Sequence, residues 1–256
     1  MISFVKRILF KLLTQRAYLK AMHRGFYFLF DLGLLKNDRR FKFHYIAKQL
    51  IKKDFTVIDI GANLGYFAKT FARLTPQGKV ICIEPILPFY QILQKFLSHY
   101  PQVVIHNIAL GEEEGIVEMV LPESNGMIRT GLPHIVDKSE DIGGQKTAQV
   151  KVKKGSELFG SLSKIDYIKC DIEGYEWIVF NELLPVISKY RPIIQVEISE
   201  TNIDHLVNYF DQLEYCQYGI CDFKIIREKG QQKEIGDFLF IPIEQKEAFE
   251  TNFKLN

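Results

Sequence analysis

No apolar run in this 256-residue chain approaches the ~20 residues that a membrane-crossing helix needs. The opening stretch does not read as a secretory signal either, because Lys6, Arg7, Lys11, Arg16 and Lys20 interrupt it too often. Cysteine is scarce: Cys82, Cys170, Cys216 and Cys221 form no Cys-x-x-Cys pair, so a thiol-rich zinc site and a disulfide framework are both excluded. Two of the four fall in apolar strand-like runs, which suits reduced thiols packed as small hydrophobes in a reducing, cytoplasmic compartment. There is no internal repeat and no low-complexity tract. Acidic residues are nearly missing from one region, since residues 1–53 hold thirteen Lys/Arg but only Asp31 and Asp38. The formal net charge of +2 therefore hides a basic arm on an acidic remainder.

With 47% hydrophobic and 25% charged residues, the chain has the composition of a folded globular protein. Its most informative run is Val57-Ile-Asp-Ile-Gly-Ala-Asn-Leu-Gly-Tyr-Phe67. Residues 57–60 read as a buried strand, Gly61 and Gly65 as a tight turn, and Phe67, Phe71, Ala72 and Leu74 as the start of a helix. Strand, glycine turn and helix together are how α/β proteins build a nucleotide site. The spacing is not Gly-x-Gly-x-x-Gly, and no Gly-Lys-Ser/Thr ends the turn, so neither a dinucleotide fingerprint nor a phosphate-binding P-loop is present. What stands is Asp-x-Gly-x-x-x-Gly, which resembles the first motif of S-adenosyl-L-methionine (SAM)-dependent methyltransferases. Asp59 fits this better than a phosphate site, because a carboxylate can hold an amine or hydroxyl but repels a pyrophosphate.

Two further strand tips carry suitable polar groups. Residues 79–83 end at Glu84-Pro85, placing a carboxylate nineteen residues after Gly65, where ribose hydroxyls are bound in related folds. Residues 103–105 end at His106-Asn107, where an adenine edge would rest. The fourth core strand, 165–170, runs into Asp171-Ile-Glu173-Gly174-Tyr-Glu176, with a helix expected to about residue 184. A fifth strand spans 191–198 with Glu197 inside it, and a closing pair is expected near 214–220 and 236–241. Residues 116–121 and 148–153 read as paired strands, and the long Gly-rich connection 122–149 between them as a lid or substrate loop.

In these blocks the chain resembles the FkbM-type methyltransferases, a branch of the class I SAM enzymes. The likeness rests on residues 58–65, Ile83-Glu-Pro85, 107–111 and above all on Asp-x-Glu-Gly-x-Glu at 171–176, and it covers about residues 40–242. It implies a Rossmann-like α/β fold with a mostly parallel seven-stranded sheet and one antiparallel strand, to which the chain's own pattern adds an N-terminal helical extension. The chain then divides into a basic extension, 1–53, and a methyltransferase domain, 54–256. The resemblance implies that Asp59, Gly61, Ala62, Asn63 and Gly65 surround the methionine part of SAM. Glu84 would hold the ribose, Asn107 and Ala109 would border the adenine, and Asp171 would face the sulfonium. It also implies O-methyl transfer to a sugar, a glycan or another small hydroxylated molecule. A non-catalytic SAM-binding protein and an N- or protein methyltransferase are the competing readings.

An alcohol acceptor needs a general base, and Glu173 and Asp171 are the candidates, with Glu173 the sharper choice because Asp171 is needed at the cofactor. Glu176 reads as structural, and His134 as a second base or a solvated loop residue. Asp171, Glu173 and Glu197 together could hold magnesium, but no metal pattern is present. In the arm, Phe4, Val5, Ile8, Leu12 and Leu19 share one helical face, and Lys6, Arg7, Lys11 and Lys20 lie off it. That face suits either the anionic inner surface of a membrane, contacted through residues 1–30, or packing on its own domain or a second subunit. No nucleic-acid motif accompanies the charge.

Overall fold

The computed structural model describes residues 13–124, 126–136, 143–198, 202–221, 224–227 and 236–255. Helices α1 (Gln15–Asp31) and α2 (Lys42–Leu50) lead into strand β1 (Thr56–Ile60). Helix α3 (Ala68–Leu74), β2 (Lys79–Ile83), α4 (Leu87–Leu97), β3 (Val103–His106) and β4 (Ala109–Leu110) follow. A run of strands comes next: β5 (Gly115–Val120), β6 (Glu123–Ser124), β7 (Met127–Ile128), β8 (His134–Ile135) and β9 (Thr147–Lys153). The second half contains α5 (Gly155–Phe159), β10 (Tyr167–Cys170), α6 (Glu176–Glu182), α7 (Leu184–Tyr190) and β11 (Ile193–Ile198). It closes with α8 (Ile203–Gln212), β12 (Tyr215–Cys221), β13 (Lys224–Arg227), β14 (Gly236–Pro242) and α9 (Lys246–Phe253).

The main sheet has the order β13-β12-β14-β11-β10-β1-β2-β3. Strands β3, β2, β1, β10 and β11 are parallel, and β14 runs antiparallel to both β11 and β12. The Rossmann-like α/β class is therefore as expected, but the strand count needs correction. Among the described residues the sheet has eight strands, not seven, and two of them, β13 and β14, run against the rest. The extra strand β13 pairs with β12 as a hairpin, a local connection that needs no crossover helix.

Strand β1 is buried along its whole length because helices cover both faces of the sheet. On one face Phe159, Phe180, Leu183, Ile187 and Phe210 pack over Ile58 and Ile168. On the other, Phe43, Ala47, Phe71 and Phe249 pack over Val57 and Tyr167. Each fully buried Leu, Ile or Phe of this kind contributes roughly 1.5–3 kcal/mol relative to exposure.

The helix expected from 176 to about 184 is α6, and a second helix not read from sequence, α7, follows it after Leu183. Pro185 lies in the first turn of α7, where its missing N–H costs nothing, whereas inside a continuous helix it would break the ladder. The predicted 116–121 and 148–153 pairing is present as β5 against β9, in a second sheet of order β4-β9-β5-β8. The connection between these strands carries β6, β7 and β8, and Met127 and Ile128 bury themselves against Leu64, Phe89 and Met119.

Of the amphipathic arm, residues 1–12 lie outside the described residues. The part that is described packs on the chain's own domain: Tyr18, Leu19, His23, Phe26, Tyr27 and Phe30 of α1 are buried. Leu19, assigned above to the apolar face, is 1% exposed. Among the described residues no helix is long and apolar enough to cross a membrane.

Candidate functional site

The C-terminal tips of β1, β2 and β10 meet at an open cleft lined by Gly61, Asn63, Glu84, Pro85, Asp171 and Glu173 among others. Three strands that sequence spacing alone kept apart are joined here by parallel pairing. Gly61 has φ +75° and Gly65 φ +82°, so the turn uses left-handed backbone that favours glycine. Asn63 takes φ +51°, which asparagine tolerates better than most side chains. The amides of Gly61 and Ala62 both donate to the Ile83 carbonyl at 3.0 Å, fastening the turn to β2.

Glu84 is buried at the edge of this turn. Its Oε2 accepts from the Asn63 amide at 2.7 Å and its Oε1 from the Ile86 amide at 2.8 Å. Each carboxylate oxygen has a second acceptor position left. Burial pushes the Glu84 pKa up to about 7, against the opposing pull of the Ile86 and Asn63 amides. Asn107 donates to the carbonyls of Glu84 and Pro85 at 2.9 and 2.8 Å, so its amide shapes the Glu84-Pro85 bend. Ala109 lines an adjoining apolar pocket with Ile60, Pro85, Met119 and Tyr175.

The other residues assigned to the cofactor stand behind the cleft. Ala62 and Gly65 are turn residues, and the Gly65 amide donates to the Ala62 carbonyl at 2.8 Å. Asp59 is fully buried beneath the turn. It is in register with Lys169 on β10, whose Nζ is 3.8 Å from Asp59 Oδ1. The Ala68 amide lowers the Asp59 pKa, yet neither carboxylate oxygen receives a full hydrogen bond. Burial is the larger effect and raises this pKa to about 6.

Lys169, which from sequence could be read as a partner for Glu173, instead pairs with Asp171 and faces Asp59. It is 3% exposed in the side chain, and its Nζ donates to Asp171 Oδ2 at 3.0 Å and to the Gly61 carbonyl at 3.4 Å. One buried cation thus organises Asp59, Asp171 and the glycine turn. A lysine inside an otherwise apolar strand, two residues before Asp171, was the available signal, because a buried lysine requires a partner.

Glu173 sits in the strained left-handed region, φ +54°, followed by Gly174 at φ +98°. The turn is held by Glu176, whose Oε1 accepts from the amides of Ile172 and Gly174 at 3.1 and 3.0 Å. Glu176 therefore has the structural place read from sequence. Glu173 as a residue is exposed, but its carboxyl faces the cleft: a Cβ on Gly131 would lie 3.5 Å from Oε1. Desolvation first, then Asp171 and Glu176, raises the Glu173 pKa to about 7. His134 lies close enough to lower it slightly and is itself bonded to the Leu132 carbonyl at 3.0 Å. The connection 122–149 thus reaches the strand tip through Gly131, Pro133 and His134. Among the described residues, no group of His, Cys, Asp or Glu is placed to hold a metal ion.

The cleft fits SAM in its donors and acceptors. Asn63 Oδ1 is buried with no partner, and Glu84 has acceptor capacity to spare beside it. A cofactor carrying an ammonium and ribose hydroxyls supplies the donors that such acceptors lack.

Residues 59–220 match the family described as the Methyltransferase FkbM domain. Methyltransferase 1 of Beauveria bassiana is 27% identical over 146 residues, covering 51% of this chain and 59% of that protein. The AMB antimetabolite synthetase AmbE of Pseudomonas aeruginosa is 35% identical over 66 residues, 25% of this chain and 3% of AmbE. The chain thus spans only part of either relative. Among solved structures, methyltransferase FkbM from Methylobacillus flagellatus KT superposes with a TM-score of 0.52 at 18% identity, over 74% of this chain and 44% of that one. The fold is shared with that structure, and the match across most of the strand-tip cleft places the chain in a family: it belongs to the FkbM methyltransferases, which are SAM-dependent enzymes.

Proposed function

We propose that the chain methylates a hydroxyl of a sugar, a glycan or a related small molecule. The observation that carries this reading is the Glu173 carboxyl, held at the cleft by a strained turn with its pKa raised to about 7. A hydroxyl must lose its proton as its oxygen attacks, and a base acts best when its pKa lies near the working pH. Bound SAM supplies a methyl group on a sulfonium already activated for displacement. The chain's own residues do the rest. Glu84 holds the ribose of the cofactor and Asn63 its methionine part, and Lys169 anchors Asp171 and the Gly61 carbonyl. Glu173 accepts the hydroxyl proton, and the Gly131–His134 segment restricts water at that carboxyl. Alignment of this kind is worth up to ~7–11 kcal/mol of the barrier in favourable cases. The resemblance to FkbM enzymes supports a sugar or other hydroxylated acceptor.

The test is a methyl-transfer assay with labelled SAM against nucleotide sugars and lipid-linked glycans, with the product mapped by mass spectrometry. An O-methyl product formed by the native chain and lost in Glu173→Gln supports the reading. A methyl group on nitrogen, or an unchanged rate in Glu173→Gln, overturns it.

A further inference from the structure

Helix α1 has two dissimilar faces. The inner one is buried and bonds the cofactor turn: His23 Nδ1 lies 2.7 Å from the Leu64 carbonyl, and the Tyr27 hydroxyl donates to the Tyr66 carbonyl at 2.8 Å. The outer one carries Arg24, Phe28 and Leu32, and Arg16 and Lys20 continue the same i+4 row, a ridge that winds by about 40° at each step towards the flank of the helix. Phe28 and Leu32 are 66% and 59% exposed, and Leu34 in the following turn is 66% exposed. Exposed leucines occur singly on most surfaces, but three large apolar side chains at one helix end are not ordinary scatter.

The cations of this row stand close enough to repel. The Lys20 pKa is lowered, by desolvation first and then by Lys95, Arg16 and Arg24. Among the described residues no carboxylate pairs with Arg16, Lys20 or Arg24. Asp31, the acid nearest the row in sequence, is engaged by Arg73 at 2.8 Å. Positive charge left uncompensated by the protein calls for a polyanion outside it.

We infer that the outer face of α1 docks the chain on an anionic lipid surface, with Arg16, Lys20 and Arg24 on headgroup phosphates and Phe28, Leu32 and Leu34 among the acyl boundary. The apolar tip decides between polyanions. A nucleic acid is bound through phosphate charge and base stacking, for which exposed leucines offer nothing, whereas an interfacial helix needs apolar side chains to enter the boundary layer. Leu19 and its inner-face neighbours on α1 pack on the domain, one of the arrangements the sequence allowed, and a different side of the helix is the one presented. The inference is independent of the methyl-transfer reading.

The experiment is vesicle flotation of the full chain with phosphatidylcholine alone and with added phosphatidylserine, at low and high salt. Flotation only with phosphatidylserine, weakened by salt, is expected. Charge reversal (Arg16→Glu, Lys20→Glu, Arg24→Glu) should abolish it. Phe28→Ser, Leu32→Ser and Leu34→Ser together should weaken it by about tenfold or more. These positions are exposed or half-exposed, and unchanged melting of each variant shows that the fold is intact. Retained flotation in both variants would assign any binding to residues 1–12 and overturn the inference. So would absence of flotation, or tight binding to an oligonucleotide that the serine variant leaves unchanged.

Discussion

Gly61 faces the carbonyl oxygen of Asp171 so closely that a Cβ at Gly61 would lie 1.9 Å from it. Two strand tips, β1 and β10, therefore meet at a point where no side chain fits. The contact is to backbone, which cannot swing aside, and the φ of +75° adds strain for any L side chain. Gly61→Ala is expected to abolish SAM binding in calorimetry and to destabilise the fold by more than the ~1–2 kcal/mol of the left-handed backbone alone. Native affinity in a folded Gly61→Ala protein would remove the turn from the cofactor site.

Glu84 offers a prediction in pH. Its folded pKa, about 7, is above its ordinary 4.5, so the fold favours the protonated form. In the cofactor-free protein that contribution to stability is complete below about 4.5 and is lost as pH rises through about 7. Cofactor binding has the opposite sense, because ribose hydroxyls donate best to the ionised carboxylate. SAM affinity should therefore rise through about pH 7 in the native chain. Glu84→Gln should bind about tenfold more weakly or worse, as expected for losing a hydrogen bond to a charged acceptor worth ~1.5–3 kcal/mol. Its affinity should be flat over the same pH range. A titration series across that range checks both slopes.

For Glu173 the expected signature is a split between binding and turnover. Glu173→Gln should lower kcat by ~10²- to 10⁴-fold, the usual worth of a positioned base, with little change in SAM affinity. The native rate should climb as pH passes about 7, where the carboxyl ionises, and that limb should vanish in the variant. A glutamine variant with the native pH profile would place the base elsewhere.

Tyr27 touches the site only through the backbone. Its hydroxyl serves the Tyr66 carbonyl at 2.8 Å and the Gly65 carbonyl at 3.2 Å. Tyr27→Phe keeps the ring and deletes the donor, leaving buried acceptors short at a cost of ~1–3 kcal/mol. Denaturant unfolding measures that loss. SAM affinity should fall alongside it, although Tyr27 is not a cleft residue. A destabilised protein with unaltered affinity would reduce Tyr27 to a packing role.

Much of this site was legible because the signals are local. A left-handed φ favours glycine and, after it, asparagine, so Gly61, Asn63 and Gly65 signal the turn without any tertiary knowledge. Strands buried on both faces read as apolar runs, and the carboxylates that follow them at Glu84 and Asp171 are strand-tip residues by position alone. Lys169 was not legible in the same way: its meaning depends on Asp59, 110 positions away in the chain and adjacent across the sheet. Strand β13 escaped notice because four residues with two lysine or arginine ends carry little periodicity.

By itself, then, the sequence determined the core strands and most of the helices between them, the glycine turn and the set of polar groups at the strand tips. Those follow from backbone conformation and apolar period, which neighbouring residues set. Only the tertiary structure decided that Glu84 and Glu173 reach the cleft while Asp59 lies behind it with Lys169. It also decided that the face of α1 bearing Leu19 is spent on the domain and that the row from Arg16 to Leu32 is turned outward. Burial is a property of what packs against a residue, and for these residues the partners come from distant parts of the chain.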